Sequence, residues 1–151
     1  MPRFPTALPV LLILAACGQR GMSVPEEDSL GYMASPPAAS PDFAGRDAAY
    51  RPYAPRIREG LLAPANFAET HSIVTAPCGE ACVVGFVVDR RDGEVFPLPV
   101  GGAENPALSL TYSRSSSDLE TRWFEGSRTC REQTFSWTGS GFRSRGRPSS
   151  C

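Results

Sequence analysis

Lysine is absent from this 151-residue chain: all 15 basic residues are arginine, set against 16 Asp and Glu, for a net charge of −1. A balance so near neutral, with a pI near 5.8, lacks the cation excess that phosphate neutralisation demands, and nucleic acid is excluded as a partner. The arginine bias itself reads as genome composition rather than as a set of anion clamps. No apolar stretch reaches the roughly 20 residues that a membrane-spanning helix needs. Histidine occurs once, at His71, so a serine–histidine–aspartate triad would have to use it, yet no Gly-x-Ser-x-Gly elbow accompanies it. The serines at 115–117 and 149–150 read as turn and tail. Asp89, Asp92 and Glu94 lack the full spacing of a calcium loop and read as a polar hairpin. With no nucleophile–base signature and no ligand pattern, the expectation is a non-enzymatic protein without metal or cofactor.

What is present begins at the N-terminus. Arg3 is followed by a mostly apolar run from Phe4 to Ala16, interrupted by Pro5 and Pro9 and ending in Leu14-Ala15-Ala16-Cys17. A positive start and a short apolar core describe a leader that is removed on export, here residues 1–16. The Leu-Ala-Ala-Cys step resembles the lipobox of bacterial lipoproteins. That resemblance implies a thioether-linked diacylglycerol on Cys17, an N-acyl chain, and therefore stable attachment to a membrane, since two or more chains are needed for that. Gly18 in place of the aspartate that retains enterobacterial lipoproteins at the inner membrane implies an outer-membrane address, facing the periplasm.

Cysteine parity agrees with this reading. Five cysteines stand at 17, 78, 82, 130 and 151, and an odd count leaves one thiol over in an oxidising compartment unless Cys17 is lipidated. The other four permit two disulfides in three connectivities. A Cys78–Cys82 bond requires α-carbons within about 7 Å, which only a tight turn allows. By loop entropy it would add about 2 kcal/mol, and a Cys130–Cys151 bond about 3.4 kcal/mol. A redox pair is disfavoured, because the spacing is one residue longer than Cys-x-x-Cys and no helix N-terminus is expected beside it. A metal site built from Cys78, Cys82, His71 and Cys130 is a poor zinc pattern in an oxidising space.

From 17 to 45 the chain is rich in Gly, Pro, Ser and Ala, carries Glu26-Glu27-Asp28, and shows no apolar period. It reads as the lipid anchor followed by a disordered tether whose ends, as a coil, lie roughly 30 Å apart. The domain is expected over 46–142. Pro52 and Pro55 limit any helix to a short one, with Tyr50, Tyr53 and Ile57 on one face and Asp47 as a candidate cap. Strand signals follow. Ser72–Thr75 is β-branched, and Cys82–Val88 is a continuous apolar run that reads as a central strand covered on both faces. Arg90-Arg91-Asp92-Gly93 supplies a hairpin turn, Glu94–Phe96 returns, and Pro97 stops it. Leu108–Tyr112, Leu119–Trp123 and Thr134–Trp137 alternate apolar with polar. The fold class expected is mainly β, a small antiparallel meander sheet or partly closed barrel with a short N-terminal helix or arm. Residues 143–151 read as an Arg/Ser tail in which Arg143, Arg145 and Arg147 are solvated.

Asn66-Phe67-Ala68, then Cys78-Gly79-x-x-Cys82, Val87-Val88-Asp89, Gly93-x-Val95 and Phe135-x-Trp137 together resemble a family of small bacterial exported proteins to which no activity is assigned. The likeness spans most of 56–137 and implies a β fold and export. Where that family's pattern has Gly-His-Tyr this chain has Glu69-Thr70-His71, and Ala76-Pro77 replaces its Trp-Gly before the first cysteine. The family histidine is one position earlier than His71 and so on the other face of a strand, and its role is not carried over. The expectation is a binding or accessory module for an envelope protein or polysaccharide. The alternatives are an inhibitor of an envelope hydrolase and a thiol–disulfide exchange protein using Cys78 and Cys82.

Overall fold

A helical layer and two antiparallel sheets stack in the computed structural model, which describes residues 37–126 and 128–151. The leader, Cys17 and the first part of the tether lie outside the described residues. The chain divides after Ala34, and every helix and strand belongs to the unit Ser35–Cys151. A 3-10 turn (Ala48–Tyr53) leads into α1 (Ala54–Gly60). The first sheet is a meander in the order β1 (His71–Gly79), β2 (Cys82–Asp89), β3 (Val95–Pro97). The second is a meander in the order β4 (Ser109–Thr111), β5 (Asp118–Glu125), β6 (Thr129–Trp137), β7 (Phe142–Ser150).

The apolar run of β2 is accounted for by its position. It lies between β1 and β3, and its two faces are covered by different layers. Phe86 and Val88 meet the helical layer, where the rings of Tyr50 and Tyr53 stand 5.5 and 5.0 Å from that of Phe86 and Ile57 is fully buried. Val87 faces the other way, with Ile73, into a second core completed by Leu119 and Trp137 of the four-stranded sheet. Fully burying a side chain such as Ile57 or Leu119 is worth about 1.5–3 kcal/mol, so both layers are held by the same central strand. Gly85 interrupts the run because Leu98 crosses it there: a β-carbon at 85 would sit 2.4 Å from the Leu98 side chain.

The turns follow their residues. Gly93 has φ of +79° at the end of the β2–β3 turn, a conformation L residues rarely adopt. Pro97 closes β3 as expected. In β5, Leu119, Thr121 and Trp123 point inward while Glu120 and Arg122 point out, the alternation of a sheet with one wet face.

The mainly β class with antiparallel meanders and a short N-terminal helix is as expected; the strands form two packed sheets, and neither closes into a barrel, because each ends in unpaired edge strands. Two expectations need correction. The folded unit starts before residue 46. Phe43 is 6% exposed in the helical-side core, Arg58 stacks on its ring at 5.0 Å, and Ala39 N–H donates to Arg90 O at 2.9 Å. One aromatic and a few backbone bonds hold this arm, too little to show through a Pro/Ala-rich composition. Finally, 143–151 is no tail: Phe142–Ser150 pairs with β6. Its residues are almost all exposed because it is an edge strand, so no apolar alternation marks it. Arginines, Gly146 and Pro148 are the residues that keep such an edge from recruiting another strand.

Asp47 begins the 3-10 turn without capping it through its side chain. Its carboxylate, 1% exposed, instead accepts from Asp42 N–H at 3.0 Å and Val95 N–H at 3.1 Å. The arm is thereby fastened to the edge of β3.

Candidate functional site

The four cysteines of the folded unit form two bonds. Cys78 pairs with Cys82 across the β1–β2 turn, α-carbons 5.0 Å apart. This is the tight turn that bonding requires, made possible by Gly79 at φ +147° and Ala81 at φ +52°. The tip from Pro77 to Ala81 is exposed throughout. Cys130 pairs with Cys151, α-carbons 5.4 Å apart, joining the start of β6 to the last residue of the chain. The zinc arrangement conceivable for Cys78, Cys82, His71 and Cys130 is not assembled, since all three of these cysteines are in disulfides. Among the described residues no cluster of three His, Cys, Asp or Glu is placed to hold a metal ion.

The Asn66-Phe67-Ala68 motif has a clear structural task. Asn66 Oδ1 accepts from Ile73 N–H at 2.7 Å and its Nδ2 donates to Ile73 O at 3.1 Å, so one side chain takes the place of a neighbouring strand along the open edge of β1. Arg56 Nε caps the next free carbonyl on that edge, Thr75 O, at 3.0 Å. Phe67 is fully buried and bridges to His71. Between them the backbone passes through positive φ at Ala68 (41°) and Glu69 (61°), a strained course for residues with a β-carbon.

That turn delivers His71 to the seam between the sheets, beside Ile73 and against Trp137, ring centroids 5.3 Å apart. His71 and Asp89 face each other as register partners of β1 and β2, with Nε2 3.7 Å from Asp89 Oδ2. Arg91 clasps the same carboxylate, donating from Nε at 3.0 Å and from its backbone N–H at 2.9 Å. These hydrogen bonds from Arg91 hold the Asp89 carboxyl below the usual range, outweighing the upward push of burial; the nearby His71 adds in the same direction. Thr70 Oγ1 stands 3.2 Å from His71 Nδ1. Thr70, His71 and Asp89 thus run in the order of nucleophile, base and acid. The details do not suit that chemistry. Nδ1 also faces Ala68 O at 3.3 Å, which calls for an N–H there, and 3.7 Å at Nε2 exceeds a hydrogen bond. His71 Nε2 and Trp137 Nε1 are both buried without a partner.

Asp92 Oδ1 accepts from Glu94 N–H at 2.9 Å, which confirms Asp92 and Glu94 as turn residues.

A groove of about 450 Å³ lies on the outer face of the four-stranded sheet. Its floor consists of two cross-strand rows. One runs Ser109, Arg122, Glu132, Ser149; the other runs Thr111, Glu120, Thr134, Arg145. Arg122 and Glu132, directly opposite, approach to 3.5 Å. Gln133 Nε2 donates to Gly146 O at 2.8 Å at the bulge where β7 slips register. No aromatic side chain lines this groove. The sequence contained half of it, in the outward residues of the β5 alternation. The other half sits on β7, whose pairing no local signal reveals. No family model, curated protein or solved structure matches the chain.

Proposed function

We propose that the protein is a bacterial envelope lipoprotein, anchored through acyl chains on Cys17 and sorted to the outer membrane, whose β unit is a non-enzymatic binding module facing the periplasm. The carrying observation is the outer face of the four-stranded sheet: two full rows of polar side chains in register across four strands, with charges of both signs. Paired opposite charges on such a face favour specific partners over wrong ones. Mixed charge without aromatic rings suits another envelope protein better than a polysaccharide, whose sugar rings are commonly stacked on aromatic faces. The anchor is supported by the lipobox resemblance and by arithmetic, since the two disulfides use four of the five cysteines.

Capture of the lipidated protein from membranes, followed by mass spectrometry, tests both parts. The expected result is an acylated Cys17 and a partner that is lost on Arg122→Glu. Recovery of a mature chain without lipid on Cys17 refutes the anchor, and a partner set indifferent to Arg122→Glu refutes the binding face.

The inhibitor reading has its own observation, the exposed Pro77–Ala81 tip braced by Cys78–Cys82. A rigid protruding loop is preorganised to enter a cleft. Thiol–disulfide exchange at the same pair is less favoured, because a hairpin offers no helix N-terminus to stabilise a thiolate.

A further inference from the structure

Two adjoining grooves flank the N-terminal arm Pro37–Pro41 and share Pro37, Ala38, Ala39 and Arg90 in their walls; their volumes are about 420 and 400 Å³. Arg58, Arg90 and Arg114 line them without a carboxylate partner among the described residues, beside Arg91, which Asp89 neutralises, and against one lining carboxylate, Glu69. Arg90 spends its hydrogen bonds on neutral acceptors, Leu61 O, Ala63 O and Ser72 Oγ, which leave its charge uncompensated. Arg114 is exposed and makes no ion pair among the described residues. On the rim stands Leu62, 86% exposed, the sole large hydrophobic side chain so placed among the described residues.

We infer that this arm-side surface docks on anionic phospholipid headgroups of the membrane that carries the chain, with Arg58, Arg90 and Arg114 meeting phosphates and Leu62 entering the interface. This rests on the anchored reading above. Pro37 comes twenty positions after Cys17, so the two can be no more than about 70 Å apart along the chain. An anchor at Cys17 therefore holds this side of the unit, where the arm joins it, within reach of the bilayer. The charge is of the matching sign, and each arginine near an anionic surface adds roughly a fivefold factor in partitioning. Attraction of this kind is screened over about 10 Å at 0.1 M salt.

The test uses residues 17–151 with Cys17→Ser, which keeps the whole Ser35–Cys151 unit without lipid, sedimented with vesicles of phosphatidylcholine alone or with phosphatidylglycerol added. The expected result is binding only to the anionic vesicles, weakened at least about fivefold by Arg114→Glu combined with Leu62→Ser and unchanged by Arg147→Glu, which alters the four-stranded sheet instead. An unchanged far-ultraviolet spectrum and melting midpoint show that each variant is folded. Equal partitioning to both vesicle types overturns the inference, as does equal weakening by Arg147→Glu. Stabilisation by millimolar inorganic phosphate without vesicle binding reassigns the grooves to a small anion and also overturns it. Because the assay needs no acyl chain, its failure is separate from a failure to find lipid on Cys17.

Discussion

Replacing Asn66 with alanine tests whether one side chain does the work of a missing strand. The substitution removes two hydrogen bonds, at 2.7 and 3.1 Å, to the N–H and C=O of Ile73, a residue only 4% exposed. A made hydrogen bond contributes about 0.5–1.5 kcal/mol, and a buried group left unsatisfied costs about 1–3 kcal/mol. Asn66 itself is half-buried, so water reaches part of the gap, and the expected loss is about 2–4 kcal/mol. For a domain near a hundred residues that corresponds to a fall in melting midpoint on the order of 10–20 °C. Asn66→Asp keeps the acceptor for Ile73 N–H but turns a carboxylate oxygen toward Ile73 O in place of the donor, so it should also be less stable than the parent. Urea denaturation supplies the free energies, and amide exchange at Ile73 supplies the local readout. A loss below about 0.5 kcal/mol, or an Ile73 amide as protected as in the parent, would refute the idea that the side chain seals the edge of β1.

Opening Cys130–Cys151 by a double serine substitution should cost about 3.4 kcal/mol by loop entropy; limited tryptic digestion should then cut after Arg143 or Arg145, and an undigested β7 would count against the strand. Gly93→Ala places a β-carbon 2.6 Å from Ser40 O at φ +79°, so it should cost about 1–3 kcal/mol and speed exchange of the Ala39 amide; unaltered exchange there would show that the arm is not seated on this turn. Asp89 is held below the ordinary aspartate value of 3.8 by Arg91. A depressed carboxylate stabilises the fold fully above its unfolded pKa and loses that contribution as pH falls through the lower folded value. Stability should therefore decline from near pH 4 downward, with a shallower slope in Arg91→Gln; identical slopes would remove Asp89 from the account. The Cys78–Cys82 bond, as a structural staple, should have a reduction potential below about −300 mV, and a value near those of exchange proteins would restore the redox reading.

The sequence by itself determined the class and most strands, because those features are local. Period-two alternation at Leu119–Trp123 and the apolar run Cys82–Val88 each carry their burial pattern in adjacent residues. Asp92-Gly93 and the short Cys78–Cys82 spacing each specify a turn within five positions, and the proposed address at Leu14–Cys17 is local in the same sense. Tertiary structure alone decided what depends on partners distant in the chain. Phe43 reads as linker until the helical-side core closes over it. Arg143–Ser150 reads as tail because an edge strand is held by backbone bonds and a terminal disulfide rather than by apolar side chains. Asn66 becomes a surrogate strand only when folded against Ile73. The two polar rows exist only once β7 aligns Ser149 and Arg145 with Glu132 and Thr134. Hydrogen-bonding partners across a sheet are chosen by geometry rather than by neighbouring sequence, and the candidate binding face is made almost wholly of such choices.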